Sequence, residues 1–505
     1  MYDGLRPVRA LILAKKFAIL CHRWMGVAFC LLFAWWFLSG IFIMYWDYPD
    51  VSPSDRLQRA LPLDASKIHL SAQEAWKKLG NNNEPGGVSL AMFDARPVYR
   101  FTSGGIVYAD NGARQDEYSA DVCLRVASAW TLQPAASAKI EEITQADQWT
   151  IGVRNLLPLL KYSFPDGQQV YVSRNAGEVV QYTTTGSRLG AYLGPIPHWL
   201  YFTPLRLRES LWSNVVIYAS GIGTVMALLG LVAGISMVSL GKKYRFEGAA
   251  TSVPYTGPKR LHMILGLFFG IITCTWSFSG MLSMDPPFLN SDPKGAVLGN
   301  SGLSASAKIQ AALHPDPFHL SAYSAKTPQQ ALAQLSGQEV KELDFTSFDG
   351  QPLYLASVGR NNTRIVPVTG DPKTQFDPDR IFEMVASAAQ PVTFIDKRIM
   401  THYDAYYLDR HRNRPLPILF VKLNDPEHTQ LYIDQRTGRT VEEHSDTDSF
   451  VQRWLYHGLH SWDFPWLYNY RPAWDIVVLT LMLGGLSLSI TAVLIGWQLL
   501  RRKLR

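Results

Sequence analysis

The sequence has 505 residues, of which 47% are hydrophobic, and a formal net charge of +6 from 48 Lys and Arg against 42 Asp and Glu. The positive charge gives no reason to infer nucleic-acid binding, because the basic residues flank long apolar segments. The four cysteines form no CxxC pair, no GxGxxG follows a strand pattern, and there is no P-loop. The chain therefore carries no recognisable zinc, nicotinamide or ATP site.

Four apolar segments contain no Asp, Glu, Lys or Arg: residues 24–46, 210–241, 261–284 and 476–500. Each exceeds the roughly 20 apolar residues that a helix needs to cross a bilayer. A signal peptide is the alternative for the first segment, but the segment is too long and no small-x-small cleavage site follows it. The pattern predicts four transmembrane helices.

These helices divide the chain into seven parts. In chain order they are an N-terminus with the first helix (1–46), a polar domain (47–209), the second helix (210–241), a link (242–260), the third helix (261–284), a second polar domain (285–475) and the fourth helix with its tail (476–505). Within the polar domains, residues 71–79 and 327–335 have the period of short amphipathic helices, and residues 98–101 and 430–433 alternate as strands do. Each polar domain is therefore predicted to be a small α+β unit.

Basic residues cluster in three places, at both ends of the chain and in the central link. The clusters are Arg6, Arg9, Lys15, Lys16 and Arg23; Lys242, Lys243, Arg245, Lys259 and Arg260; and Arg501, Arg502, Lys503 and Arg505. Because cytoplasmic loops carry the excess of Lys and Arg, both termini and the link are predicted to be cytoplasmic. Both polar domains then lie on the opposite side of the membrane.

The chain repeats itself at a slowly growing offset. An offset of 240 aligns His22 with His262, Gly26 with Gly266, and Ser39-Gly40 with Ser279-Gly280. The offset rises through 255 in the polar domains to 262, where His198 aligns with His460 and Trp212 with Trp474. We interpret the chain as two tandem homologous halves, roughly residues 1–245 and 246–505.

Two aligned histidines stand near the cytoplasmic ends of the first and third helices. His22 and His262 are each followed four residues later by a glycine, Gly26 or Gly266, on the same helix face. Histidine within a membrane helix is rare and usually functional, and two facing imidazoles can bind one haem iron. The alternative is a pair of interfacial histidines solvated with the basic flank. Arg23, Arg260 and Arg453 are placed to pair with haem propionates, although the positive-inside rule already explains the first two.

A second aligned pair precedes the second and fourth helices. His198 and His460 each lie 14 residues before a tryptophan and are predicted to lie at the external surface. They suggest a second b-type haem, although His198 also fits an aromatic belt. His457 has Pro195 as its counterpart, so symmetry favours His460 as the ligand. His457 is then a supporting residue, a substrate-side residue or a ligand that breaks the symmetry.

These motifs resemble those of the PepSY-associated transmembrane helix family. The similar stretches are His22-Arg23-Trp24-Met25-Gly26, Leu38-Ser39-Gly40 and Trp454-Leu455-Tyr456-His457-Gly458-Leu459-His460, although the Trp is missing after His262. The resemblance covers nearly the whole chain. It implies a bacterial inner-membrane protein with two haems b in a four-helix bundle and PepSY-like periplasmic domains. It also implies reduction of a ferric siderophore or other ferric chelate, with release of Fe(II).

An electron donor would have to come from outside the chain, as a membrane quinol, a flavin or a reductase partner. Other classes of function stay open. A non-catalytic periplasmic binding or regulatory protein would use the polar domains and hold no haem. A transporter is less consistent with only four helices and no proline in mid-span. A haem electron-transfer protein would serve another acceptor, such as Cu(II).

Overall fold

A computed structural model describes residues 5–80, 83–102, 104–115, 118–286, 305–314, 319–446 and 450–504, without the side chains of residues 5–11, 305, 306 and 503. The side chains of Arg6, Arg9 and Lys503, and all of Arg505, which the topology prediction uses, lie outside the described residues. The chain forms two compact units. We call the unit of residues 5–49, 185–286 and 450–504 the bundle unit, and that of residues 50–184 and 305–446 the sheet unit.

The helices differ widely in length. In chain order they are α1 (Leu5–Ile43), α2 (Pro53–Arg59), α3 (Ala72–Lys78), α4 (Ala120–Thr131), α5 (Thr185–Leu193), α6 (Pro195–His198), α7 (Thr203–Arg206), α8 (Glu209–Met237), α9 (Gly257–Leu282), α10 (Ala305–Leu313), α11 (Pro328–Gln334), α12 (Pro378–Ala389), α13 (Leu459–Ser461), α14 (Pro465–Tyr468) and α15 (Ala473–Lys503). A π-helical turn, Val451–Gly458, precedes α13.

The strands are mostly short. They are β1 (Val88–Phe93), β2 (Arg96–Phe101), β3 (Gly105–Tyr108), β4 (Arg114–Gln115), β5 (Lys139–Ile143), β6 (Leu159–Ser163), β7 (Gln169–Ser173), β8 (Val179–Thr183), β9 (Tyr244–Phe246), β10 (Ala249–Thr251), β11 (Glu342–Phe348), β12 (Gln351–Gly359), β13 (Asn362–Pro367), β14 (Phe394–Met400), β15 (Ile418–Leu423), β16 (Gln430–Asp434) and β17 (Arg439–His444).

Within the described residues, four helices are long and apolar enough to cross a membrane. The candidate spans are Ile12–Ile43, Glu209–Met237, Gly257–Leu282 and Ala473–Arg502, in α1, α8, α9 and α15. The prediction of four such helices is confirmed, and the chain has the character of a membrane protein. Helix α1 begins well before residue 24, because Lys and Arg are good helix formers and do not end a helix. The predicted link also contains the hairpin β9–β10, which the sequence analysis missed.

Glycines let the bundle helices approach one another closely. A Cβ atom at Gly223 would lie 2.7 Å from the ring of Phe33, and one at Gly485 would lie 2.2 Å from the ring of Phe37. Both phenylalanines belong to a buried cluster with Trp276. Since lipid tails are as apolar as these side chains, close packing at small residues holds the helices together.

The sheet unit is built around one seven-stranded sheet. Its strand order is β13-β12-β11-β1-β2-β3-β4, and β1 pairs with β11 in antiparallel register. Residues 47–209 and 285–475, predicted as separate domains, therefore share a sheet. Alternation identifies the buried face of a strand but not the neighbour at its edge, and an unpaired edge is a liability that pairing removes.

Smaller layers complete the sheet unit. Helices α3 and α11 pack on one face of the large sheet, and their side chains share a core with Leu90, Tyr99 and Tyr354. Two four-stranded sheets, β5–β8 and β14–β17, pack with α4 and α12 respectively. The predicted short helices are confirmed as α3 and α11. Each begins at a capping box, from Ser71 or Thr327, which satisfies exposed amide donors at the helix start.

Some contacts of the sheet unit occur twice. Arg125 forms a bidentate ion pair with Asp94, and Arg380 forms a bidentate ion pair with Asp349. Both residues of the second pair lie 255 positions after their counterparts in the first pair. The hydroxyl of Tyr171 donates to Asp147 over 3.2 Å, and that of Tyr432 donates to Asp404 over 3.4 Å.

Candidate functional site

Four histidines of the bundle unit stand in two pairs. The rings of His22 and His262 have centroids 6.2 Å apart, and those of His198 and His460 have centroids 5.9 Å apart. We call them the inner pair and the outer pair. Metal–imidazole bonds are about 2 Å long, so a metal held between two rings separates their centroids by about 6 Å. The spacing of both pairs suits a shared metal.

The inner pair is oriented by hydrogen bonds from Nδ1. His22 Nδ1 donates to the carbonyl of Met226 over 2.9 Å. His262 Nδ1 lies 3.0 Å from Oγ1 of Thr491, whose own proton is donated to the carbonyl of Leu488. His262 is therefore the donor in its pair. In a neutral imidazole this leaves Nε2 unprotonated, as a metal ligand must be.

Space beside the inner pair is provided by glycines. A cavity of about 370 Å³ contains both rings in its lining, together with six glycines: Gly26, Gly230, Gly234, Gly266, Gly270 and Gly496. A Cβ atom at Gly26 would have no neighbour within 4 Å, and one at Gly266 would meet a side chain only at 3.8 Å. A flat group can lie against this open surface. At Gly230, by contrast, a Cβ atom would lie 2.3 Å from Cε1 of His22, so this glycine makes room for the ring itself.

Basic side chains line the same cavity. They are Arg23, Lys259 and Arg502, one from each of α1, α9 and α15. Arg23 was predicted to pair with the carboxylates of a bound group, whereas Lys259 and Arg502 were used only to predict topology. Three cations in one cavity lining favour a ligand with carboxylates.

The outer pair is oriented by two serines. His198 Nδ1 lies 3.2 Å from Ser39 Oγ and 3.2 Å from the carbonyl of Trp36. His460 Nδ1 lies 3.0 Å from Ser279 Oγ. Both serines donate their own protons to carbonyls one turn back, so they accept from the histidines. The two serines are aligned in the sequence, but nothing in the sequence indicated that they contact the outer pair.

Burial keeps the outer pair neutral. It lowers the pKa of His198 to about 4. It also lowers the pKa of His460 to about 3, and the nearby His198 and His457 add to the shift. A neutral imidazole is the form that binds a metal, so both rings are in the required state at neutral pH.

Two buried indole nitrogens of the bundle unit lack acceptors among the described residues. Nε1 of Trp36 and Nε1 of Trp276 have no hydrogen-bond partner within the part of the chain that the structure describes. The backbone carbonyl of Trp36 lies 3.2 Å from Nδ1 of His198, and that of Trp276 accepts from the serine that contacts His460. Since buried donors are rarely left unpaired, these two are consistent with a bound group that accepts from them.

A π-helical turn carries His457 and leads directly into α13, which carries His460. Arg453 holds this turn, because its Nη1 donates to Asp463 Oδ1 and its Nη2 to the Asp463 carbonyl, each over 2.7 Å. His460 faces His198, whereas His457 is exposed and its ring lies 4.6 Å from that of Tyr456. π-Helical turns often mark functional sites. Periodicity could not reveal this one. Arg453, which the sequence suggested as a partner of a haem propionate, instead donates to Asp463.

A bare metal ion fits these sites poorly. No group of three or more His, Cys, Asp or Glu side chains in the described ranges is placed to hold a metal. Each pair supplies two ligands, so a metal there would have to bring the others with it. A macrocycle with four ligands of its own does so, and the open surface at Gly26 and Gly266 leaves it room at the inner pair.

Known proteins provide no family assignment for this chain: no family model matches it, and no curated protein matches it. A function has to be inferred from the chain's own residues.

Proposed function

We propose that the chain holds two b-type haems, one at each histidine pair, and carries electrons across a membrane. The observation that supports this most directly is the spacing of the pairs, 6.2 Å and 5.9 Å between ring centroids. In all four rings Nδ1 is engaged, so that Nε2 is available for iron. Haem iron bound by two histidines accepts and releases one electron.

The proposed site of the inner haem is the glycine-lined cavity. His22 and His262 would bind the iron, Gly26 and Gly266 would lie beneath the ring, and Arg23 would pair with a propionate. The outer haem would be bound by His198 and His460.

The proposal includes two homologous halves. Contacts that recur at the aligned positions support it. Ser39 bonds His198 as Ser279 bonds His460. Met226, which accepts from His22, is equivalent at offset 262 to Leu488, whose carbonyl lies beside His262.

The orientation follows the positive-inside rule. Among the described side chains, Lys15, Lys16 and Arg23 lie at the end of α1 that carries His22, and Arg502 lines the cavity of the inner pair. The inner pair would face the cytoplasm and the outer pair the periplasm of a bacterial inner membrane, with both termini and the link in the cytoplasm.

The proposed reaction is the one-electron reduction of a periplasmic ferric chelate, such as a ferric siderophore. The resemblance to the PepSY-associated transmembrane helix family supports this substrate. Ferrous iron is held less tightly by hard oxygen ligands, so reduction releases it. The electron would come from a quinol, a flavin or a reductase partner. An electron needs no bond between donor and acceptor, so an exposed haem edge near His457 would serve a bulky chelate.

The test uses the full chain in detergent. We expect a haem spectrum, and anaerobic reoxidation of the dithionite-reduced protein by a ferric siderophore, with Fe(II) trapped by a chelator. The gallium complex of the same siderophore, which has a similar shape and no accessible reduction, is the control. Reoxidation by Cu(II) but not by ferric chelates would support electron transfer and would contradict the proposed ferric substrate. A colourless protein would instead favour a periplasmic binding or regulatory role.

A further inference from the structure

We infer that helix α5 lies in the external interface of the membrane and binds lipid through one face. Leu189, Tyr192 and Leu193 form a stripe on α5 and are 60%, 53% and 41% exposed. Their spacing places them on one side of the helix. Adjacent exposed apolar side chains of this kind mark an interaction surface.

The opposite face of α5 is fixed to the bundle. A Cβ atom at Gly190 would lie 2.4 Å from Cδ1 of Trp46, and one at Gly194 would lie 3.0 Å from the backbone nitrogen of Ile43. Ala191 is fully buried. Helix α5 therefore sits directly across the end of the first span, at the level of residues 43–46.

Lipid is the occupant because α5 packs on the end of the first span, which itself carries a row of exposed apolar side chains. Leu31, Trp35 and Leu38 are 69%, 54% and 46% exposed along the outer side of α1. Tyr45 and Trp46, at its external end, are 51% and 43% exposed. The candidate span ends at Ile43, so α5 lies where hydrocarbon gives way to headgroups. Tyr and Trp are enriched at that depth, and an amphipathic helix there buries its apolar face among the lipids.

The contact has a consequence for the histidines. Helix α6 follows α5 after one residue, and its Pro195, Ile196 and Pro197 are buried. It ends at His198, the outer-pair residue of the first half. Lipid bound to α5 therefore fixes the depth of His198. This inference concerns the surface of α5 and stands whether or not the histidines bind haem.

Spin labelling of the full chain in liposomes tests the inference. Cysteines replace Leu189, Tyr192 or Leu193 one at a time, after Cys21→Ser and Cys274→Ser, with the buried Cys30 and Cys123 retained. Phe268→Cys, in the third span and 73% exposed, is the lipid control. Leu132→Cys, in the sheet unit and 89% exposed, is the aqueous control.

For each label we measure the ratio of the collision rate with oxygen to the collision rate with a water-soluble nickel chelate. We expect this ratio to be several-fold higher at the stripe than at residue 132. The depth should be shallower than at residue 268. Ratios equal to those at residue 132 would overturn the inference, because the stripe would face water. Protection from both reagents would also overturn it, because protein would cover the stripe. Three labelled positions guard against one variant that fails to fold.

Discussion

Ser279 Oγ lies 3.0 Å from Nδ1 of His460 and donates its own proton to the carbonyl of Trp276. The serine therefore accepts from the histidine, and this fixes which ring nitrogen is available to a metal. Ser39 does the same for His198. Groups that orient a ligand in this way are worth about 10- to 100-fold in metal affinity.

Replacing Ser279 by alanine should weaken the outer haem selectively. The S279A protein should lose haem from the outer pair about 10- to 100-fold more readily, because His460 loses an acceptor that fixes its ring. Haem transfer to apomyoglobin measures the loss. Ser277→Ala is the matched control, since Ser277 lies on the same helix and donates to the carbonyl of Ser220 instead. Equal haem loss in both variants would contradict the orienting role.

Gly26→Ala should have opposite effects on the haem-free and the haem-bound chain. In a helix, Ala is more favourable than Gly by about 1 kcal/mol, and no other side chain or neighbouring helix lies within 4 Å of the new methyl group. The haem-free variant should therefore be as stable as the parent or more so. With a macrocycle against this surface, the methyl group would collide with it and the inner haem would bind more weakly.

Thermal unfolding and haem content per chain measure the two effects of Gly26→Ala. Gly221→Ala is the control, because Gly221 lies on α8 outside the cavity lining and its Cβ would make only an ordinary contact at 3.4 Å. Unchanged inner-haem affinity in the Gly26 variant would show that no flat group lies there.

Arg453→Gln should release the π-helical turn that leads into α13, the helix of His460. Arg453 and Asp463 have side chains only 7% and 14% exposed, and breaking such a buried pair costs about 3–5 kcal/mol. We expect loss of the outer haem with retention of the inner one, measured by haem content and the electron paramagnetic resonance spectrum. The control is Arg471→Gln, whose more exposed pair with Asp475 should cost no more than about 1 kcal/mol. Retention of both haems in the Arg453 variant would argue against this role of the turn.

His314 should make the sheet unit less stable in acid. Burial lowers its pKa from the ordinary 6.5, and its Nδ1 donates to the carbonyl of Ser347 over 2.7 Å. Above pH 6.5 the ring is neutral in both folded and unfolded chains. As the pH falls below 6.5, the unfolded chain binds a proton that the folded chain does not, so the free energy of unfolding decreases. Urea unfolding between pH 7 and pH 5 should show a shallower decrease for His314→Gln than for the parent; equal slopes would contradict the assignment.

The membrane helices and the histidine pairs follow from local sequence. Unbroken apolar length identifies a span whatever its neighbours are, and an offset of 240 or 262 identifies equivalent positions without a structure. The structure brings together His22 with His262 and His198 with His460, the partners that the offsets predicted.

Other contacts between residues distant in sequence could not be predicted in this way. The pairing of β1 with β11 depends on which strand edges meet, and alternation carries no information about that. The contacts of Arg453 with Asp463 and of Ser279 with His460 join residues by geometry, across a π-helical turn or between two helices. Neither partner has a sequence pattern that points to the other.

Haem content of the purified full chain tests the central claim most directly. By pyridine haemochrome, we predict two haems b per chain in the parent. One should remain in each single alanine variant of the inner or outer pair, and two in His457→Ala. If His22 and His262 share one iron, as proposed, their double variant should still hold the outer haem. A parent protein without haem, or a His22→Ala, His262→Ala double variant that retains both haems, would contradict the account.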